Sequence, residues 1–176
     1  RLAKNGQRYL YYTVTESIKR NLPVELALLP FIESQFDPYA QSSTGASGIW
    51  QFILSTAREQ KLKKNWWYDG RRDIVASTDA AFNYLTKLHN KYDDWLLAIA
   101  AYNAGPNRIL KEIKKNKAKG FPTDFWSLKL PKETKAYVPK LLALLEVIKS
   151  PEKFSVVIPN LPNRPYFQLV TLPSQV

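Results

Sequence analysis

The sequence contains no cysteine, no methionine and only one histidine among its 176 residues. The absence of cysteine excludes a disulfide-stabilised scaffold, thiolate zinc ligands and a cysteine nucleophile. A single histidine, His89, makes a Ser-His-Asp triad or a histidine-rich metal site hard to assemble, and its helical surroundings favour an ordinary helix-surface residue. Nucleotide-binding glycine motifs and common metal-binding motifs are also missing, so we expect no cofactor and no metal.

Long apolar runs are missing as well. No stretch approaches the roughly 20 apolar residues that a transmembrane helix needs. Because the chain begins with Arg1 and has no methionine, we expect a piece of a longer protein whose targeting segment has been removed. The composition, 45% hydrophobic and 23% charged, is typical of one globular domain.

Negative charge is scarce, which leaves a net charge of +11 and a pI near 9.7. A basic protein favours an acidic partner such as nucleic acid, anionic lipid or an acidic polysaccharide. The densest basic run, at 111–119, has five lysines against one glutamate and is typical of a solvated helix end. It has no interleaved aromatic residues for stacking bases, so nucleic acid is not the expected partner.

Apolar residues recur at helical spacing through most of the chain, which predicts an all-α fold of about seven helices. Pro30 is expected to kink the second helix and Asp73 to cap the fourth. Residues 1–150 are expected to form the domain. Residues 151–176 are rich in β-branched residues and proline, which predicts an extended tail that could include a short edge strand. The tail is expected to pack on the domain or to lead to a missing C-terminal region. The predicted helices are 6–20, 24–34, 49–61, 73–92, 95–105, 107–117 and 132–149.

Glu33 is the first candidate for chemistry, because it ends a strongly apolar run. Desolvation there would raise the pKa of its carboxyl group and make it a usable general acid near neutral pH. The alternative is a helix-end residue on the solvent side. No obvious second carboxylate accompanies it, which argues against a hydrolase that uses two acids.

Two further segments suggest ligand contacts. The loop containing Ser42 and two glycines leads into Trp50 and Gln51, where the amide could bind a sugar amide and the indole could stack on a sugar ring or fill the core. Tyr102 and Asn103 end an apolar helix, and two polar side chains there need partners if they are buried. An ordinary interhelical loop and a helix C-cap are the alternatives.

Three ordered motifs resemble the signatures of the family 1 lytic transglycosylases, which have a goose-type-lysozyme-like catalytic fold. They are Glu33-Ser34, Gly48-Ile49-Trp50-Gln51 and Ala101-Tyr102-Asn103-Ala104-Gly105. The segments WWYDGRRD, STDAAFNYL and LPKETKAYVPKLLAL resemble the membrane-bound transglycosylase D subgroup in particular. The resemblance covers roughly residues 7–150.

The resemblance implies a substrate and a mechanism. The enzyme would cleave the β-1,4 bond between N-acetylmuramic acid and N-acetylglucosamine in peptidoglycan and leave a 1,6-anhydromuramic acid end. Glu33 would act first as acid and then as base. The alternatives are a hydrolytic muramidase and a non-catalytic peptidoglycan-binding module.

The resemblance also implies roles for individual residues. Supporting roles for the acid fall on Ser34, Ser42 and Tyr137, and Tyr137 would orient Glu33. Substrate contacts are implied for Gln51, Tyr102, Asn103, Trp50 and Glu133, although Glu133 also suits the first turn of a helix.

The implied partner is the peptidoglycan glycan strand, and the implied compartment is the periplasm of a Gram-negative cell. Attachment to the outer membrane would run through a lipidated N-terminus that this sequence lacks, and we expect a monomer. The basic surface suits the carboxylates that peptidoglycan carries.

Overall fold

Helices build the chain in the computed structural model, which describes residues 2–170 and the side chains of residues 5–170. Three short 3-10 helices accompany the α-helices, at Val24–Leu28, Phe125–Ser127 and Pro151–Phe154. The described residues form isolated β-bridges but no strand, which confirms the predicted all-α class. The α-helices are α1 (Leu2–Lys19), α2 (Leu29–Ser34), α3 (Leu54–Glu59), α4 (Ile74–Tyr92), α5 (Trp95–Ala104), α6 (Pro106–Ala118) and α7 (Lys132–Lys149).

The central helix is α5, which packs against α4, α6 and α7. Its sequence is apolar on nearly every side, as a helix surrounded by others requires. Ala98, Ala100 and Ala101 are fully buried, and such small side chains let the neighbouring helices approach closely. The site described below is therefore assembled around the C-terminal end of a well-packed helix.

Aspartates fix the starts of α4 and α5. The Asp73 carboxylate accepts a hydrogen bond from the backbone N–H of Ala76 at 2.9 Å, as predicted for a cap. Asp94 does the same for Leu97 at 2.9 Å. Each cap satisfies a backbone donor that the first helical turn leaves without a partner.

The structure corrects the helix predicted over 24–34, which is divided into a 3-10 helix and α2. Pro30 lies in the first turn of α2, where its missing N–H removes no helical hydrogen bond. The expected kink is therefore wrong, since Pro30 helps to begin a helix. Gln35 ends α2 in a left-handed conformation with φ of 55°.

The helix predicted over 49–61 is also wrong in its first half, because α3 begins only at Leu54. Residues 47–52 make a tight turn in which Ser47 bridges Phe52, and Gln51 has φ of 50°. The physical reason is the backbone of Gly48 and Gln51, whose positive φ values of 83° and 50° do not continue a right-handed helix. The turn places the Trp50 ring in the core, where it is fully buried and donates its indole N–H to Thr78 at 3.0 Å.

The described part of the tail lies against α1. The Phe167 ring centroid is 5.3 Å from that of Tyr12, and the Arg8 guanidinium lies 5.7 Å from the Tyr166 ring centroid. Residues 151–154 form a 3-10 helix instead of extended chain, and no strand follows up to residue 170. Residues 171–176 lie outside the described residues, and a domain boundary at residue 150 stays a prediction.

Between residues 2 and 170, no helix is both long enough and apolar enough to cross a lipid bilayer.

Candidate active site

An open cleft of about 490 Å³ runs past the ends of α2, α5 and α7. The loop between α2 and α3 and the outer face of α3 complete its walls. Most of the polar residues singled out from the sequence meet here, although Glu33 and Glu133 are 100 positions apart. The cleft includes Glu33, Ser42, Gln51, Tyr102, Asn103 and Glu133.

Glu33 stands in the last turn of α2 with its carboxyl group in the cleft. Its pKa is raised from an ordinary 4.5 to about 7, mainly by burial and to a smaller extent by the negative charge of Glu133. A hydrogen bond from the Tyr137 hydroxyl, 2.5 Å long, opposes this shift by stabilising the charged form. Near neutral pH the group can therefore both give and take a proton.

Two buried tyrosine hydroxyls surround this carboxyl group. Tyr137 comes from α7 and is only 6% exposed. Tyr102 comes from α5 and donates to the Trp50 carbonyl at 2.8 Å. Burial, reinforced by the charge of Glu33, keeps the pKa of both hydroxyls well above 10. Both therefore act as neutral hydrogen-bond donors.

Side-chain hydrogen bonds brace the loop beside Glu33. The Ser42 hydroxyl accepts from the Ala46 N–H at 3.0 Å and is 2.9 Å from the Thr44 hydroxyl. The Gln51 amide donates to the carbonyls of Gly48 and Ala40, at 2.8 and 3.2 Å. These bonds use the amide hydrogens and leave the Gln51 carbonyl oxygen as the atom that can accept from a ligand.

Ser34 connects α2 to the same loop, because its hydroxyl donates to the Ile49 carbonyl at 2.9 Å. Trp50, which follows Ile49, does not reach the cleft. Its ring is fully buried and lies edge-on to Phe82, with centroids 5.3 Å apart. The expectation that Trp50 contacts substrate is therefore wrong for its side chain, which instead forms the floor beneath the loop.

Asn103 joins the end of α5 to the start of α7. It accepts from the Thr134 hydroxyl at 2.8 Å and donates weakly to the exposed Glu133 carboxylate at 3.4 Å. The helix stop is made by Gly105, whose φ is 86°, so Asn103 is not the cap. The Asn103 amide, the Thr134 hydroxyl and the Glu133 carboxylate thus form one polar cluster at this end of the cleft.

Sequence reasoning missed the residue that holds the loop in place. Arg71 is 4% exposed, donates to the carbonyls of Gly45 and Phe52 at 2.7 and 3.2 Å, and pairs with Asp69 at 2.6 Å. The arginine and its acid lie in the WWYDGRRD segment. A charged pair inside an aromatic run was the available signal.

Glu59, Thr56 and Tyr84 also line the cleft and were missed. Glu59 and Thr56 belong to α3. Because the predicted helix began at residue 49 and α3 begins at Leu54, the sequence did not show which side chains of α3 face the cleft. Among the residues whose side chains are described, no group of three or more histidines, cysteines, aspartates or glutamates could hold a metal ion.

Comparison with known proteins places the chain among transglycosylase domains. The family profile of the transglycosylase SLT domain matches residues 11–125. Membrane-bound lytic murein transglycosylase D of Escherichia coli K12 is 52% identical over 156 residues, which cover 88% of this chain and 34% of that protein. The chain thus spans about a third of the length of that relative.

Two other proteins extend the comparison. A protein of Alteromonas sp. strain M-1, named for tributyltin chloride resistance, is 44% identical over 159 residues, covering 90% of this chain and 76% of that protein. The solved structure of an inactive mutant of lytic transglycosylase Slt from Pseudomonas aeruginosa superposes with a TM-score of 0.55 and 24% identity, covering 81% of this chain and 24% of that one. The chain belongs to the transglycosylase SLT domain family.

Proposed function

We propose that this chain is the catalytic domain of a peptidoglycan lytic transglycosylase. It would cleave the β-1,4 bond between N-acetylmuramic acid and N-acetylglucosamine without water. The observation that carries the proposal is the Glu33 carboxyl group, which has a pKa near 7 and lies in a cleft of a size suited to sugar rings. The relatives named lytic murein transglycosylases support the substrate class.

The proposed reaction needs one carboxyl group that first gives a proton and then takes one back. Protonated Glu33 gives its proton to the glycosidic oxygen, and N-acetylglucosamine leaves as an alcohol. The acetamido oxygen of the muramic acid attacks C1 as that bond breaks. Ionised Glu33 then takes the proton of the C6 hydroxyl, whose oxygen displaces the acetamido oxygen from C1 and closes the 1,6-anhydro ring. Glu33 ends protonated, ready for another cycle.

The supporting residues act on Glu33 or on its surroundings. Tyr137 orients the carboxyl group and stabilises its charged form through the 2.5 Å hydrogen bond. Ser34 and Ser42 hold the loop next to the acid through their bonds to backbone groups. Tyr102 fixes the Trp50 carbonyl beneath the cleft. None of these groups has to transfer a proton itself.

Substrate contacts fall to two amides that line the cleft together with Glu33. The Gln51 carbonyl oxygen can accept from an N-acetyl N–H, and the Asn103 amide can donate to an acetamido or hydroxyl oxygen. Glu133 is exposed at the same end and can accept from a sugar hydroxyl. Trp50 contributes only its backbone carbonyl to this arrangement.

A hydrolytic muramidase is the second candidate. It is favoured by the two further carboxylates that line the cleft, Glu59 and Glu133, because a hydrolase needs a group that activates water. A non-catalytic binding module is less favoured, since binding sugars does not require a carboxyl group whose pKa is raised to about 7.

The glycan strand is the proposed partner and the cell envelope the proposed location. The net charge of +11 suits the carboxylates of the peptide branches. The relative from E. coli is named as membrane-bound, which supports attachment of the full-length protein through a segment outside this sequence. We propose that the domain acts as a periplasmic monomer and binds no nucleic acid.

Product analysis in water labelled with heavy oxygen tests the reaction type. Purified peptidoglycan is digested and the soluble fragments are weighed by mass spectrometry. Lytic transglycosylation predicts anhydro-ended fragments, one water lighter than hydrolysis products and free of heavy oxygen. Reducing ends that carry heavy oxygen would identify a muramidase, and no soluble product would favour a binding module.

A further inference from the structure

A second pocket, of about 400 Å³, flanks α3 on the side away from the cleft. Thr56 and Glu59 of α3 line the cleft, whereas Leu54, Ala57 and Arg58 line the second pocket. Residues three and four positions apart share one face of a helix, so the two sites lie on opposite faces of α3. Only the thickness of one helix, about 10 Å, separates them.

The walls of this pocket combine an aromatic face, apolar side chains and cations. Trp66 forms one wall and is 89% exposed. Arg58 and Lys64 bring positive charge to the rim, and Leu62 contributes apolar surface. The one carboxylate in the lining, Asp69, is paired with Arg71 at 2.6 Å and lies 3.9 Å from the Lys64 ammonium, so the rim keeps a net positive charge and Arg58 is its cation without a carboxylate neighbour in the lining. The pocket thus suits a ligand that is partly apolar and carries carboxylates.

The loop that presents Trp66 is held in shape by its own hydrogen bonds. The Asn65 side chain accepts from the N–H groups of Trp67 and Tyr68, at 2.9 and 2.7 Å. The Tyr68 hydroxyl donates to Asp73 at 2.9 Å and ties the loop to the start of α4. A wall that is already ordered loses little entropy when a ligand binds to it.

We propose that this pocket binds the acidic peptide branch of the peptidoglycan strand whose sugars occupy the cleft. The inference rests on the proposed function for the identity of the strand. The branch carries carboxylates for Arg58 and Lys64 and aliphatic side-chain carbons for the Trp66 face. Because the branch leaves the strand at a muramic acid, α3 would stand between the strand and its own branch.

The two tryptophans of the loop distinguish this ligand from a lipid surface. Trp66 and Trp67 are almost equally exposed, at 89% and 91%, but only Trp66 lines the pocket. A membrane interface would use both indoles, since each can enter the headgroup region. A peptide in the pocket contacts Trp66 alone, so Trp67 provides a matched control.

The first experiment measures binding of the free peptide branch, released from peptidoglycan by an amidase, using calorimetry. We expect saturable binding to the wild-type protein and to Trp67→Ala. Trp66→Ala and Arg58→Gln should each weaken binding by about fivefold or more. Methyl esterification of the peptide carboxylates should abolish it. Absence of binding to the wild-type protein, or equal losses in Trp66→Ala and Trp67→Ala, would overturn the proposal.

The second experiment compares cleavage of intact strands with cleavage of strands stripped of peptide. Trp66→Ala should raise KM for the intact strands and leave turnover of the stripped strands unchanged, which a general folding defect could not do. Equal effects on both substrates would overturn the proposal. So would parallel loss of binding to phosphatidylglycerol vesicles in Trp66→Ala and Trp67→Ala. Peptide binding without any cleavage would refute the proposed function and leave this site standing.

Discussion

Tyr137 on α7 donates a hydrogen bond of 2.5 Å to the carboxyl group of Glu33 on α2, across 104 positions of sequence. The bond joins α2 and α7 at the point where the chemistry is proposed. It also sets two opposing influences on one pKa, because burial raises the pKa of Glu33 and the phenol lowers it. The balance leaves the acid near 7, where both proton transfers are accessible.

Replacing Tyr137 with phenylalanine tests that balance. The variant loses the donor that stabilises ionised Glu33, so the pKa of Glu33 should rise and the alkaline limb of the pH–rate profile should move to higher pH. Turnover should fall about tenfold, because the carboxyl group also loses its orientation. The measurement is the rate of anhydro-product release across pH. A profile that keeps its shape and position would contradict the role given to Tyr137.

The raised pKa of Glu33 also predicts how stability depends on pH. Below the ordinary value of 4.5 both folded and unfolded states hold the proton, and no penalty applies. As pH rises toward 7 the unfolded chain releases the proton first, so the folded state loses stability, up to about 3 kcal/mol above pH 7. Glu33→Gln removes this loss.

The variant should therefore be more stable relative to wild type at about pH 8 than at about pH 4. Urea unfolding at both pH values measures the difference. Glu152→Gln, an exposed site outside the cleft, controls for the removal of one negative charge. A Glu33→Gln advantage that is equal at both pH values would show that the carboxyl group titrates alike in the folded and unfolded chain.

Gly48 is predicted to tolerate no side chain. Both Gly45 and Gly48 have φ of 83°, but a Cβ at Gly48 would lie 1.7 Å from the Arg71 carbonyl, whereas one at Gly45 meets nothing within 4 Å. Gly45→Ala should cost about 1 kcal/mol of backbone strain, and Gly48→Ala should cost more than about 4 kcal/mol. Thermal unfolding of the two variants gives the comparison, and similar costs would argue against the close approach.

Arg71 and Arg72 are neighbours with different expected effects. Arg71→Met leaves the partly buried Asp69 carboxylate without its main partner and two loop carbonyls without a donor, so the unfolding free energy should fall by about 3–5 kcal/mol. Arg72→Gln removes an exposed side chain that bonds only to Ser47 at 3.2 Å, and should cost less than about 1 kcal/mol. Urea unfolding of the two variants measures both losses of unfolding free energy, and equal losses would contradict the prediction.

The long helices could be predicted from sequence because their signals are local. The start and end of α4 agree with prediction since Asp73 is its cap and the apolar spacing persists to Tyr92. The start of α3 could not be found, because burial of Trp50 among residues distant in sequence overrides the local helical pattern. Propensity gives way where tertiary packing offers a larger gain.

The residues of the candidate site, like the helices, could be predicted from the sequence only in part. Glu33 could be found because a carboxylate after an apolar run implies desolvation, and the bond from Tyr137 came from the family resemblance. Arg71 was missed because its segment is basic, and the only local signal of burial was the nearby charge of Asp69 within an aromatic run. Its partners at Gly45 and Phe52 lie in another part of the sequence, and only the fold brings them together.

The central claim is that one carboxyl group, Glu33, performs both proton transfers. The most direct measurement is the yield of anhydro-ended fragments from purified peptidoglycan by Glu33→Gln and Glu133→Gln, beside wild type. The account predicts that Glu33→Gln yields no detectable product, and that Glu133→Gln retains anhydro ends within about tenfold of wild type. Anhydro products from folded Glu33→Gln, or their complete loss in Glu133→Gln, would contradict it.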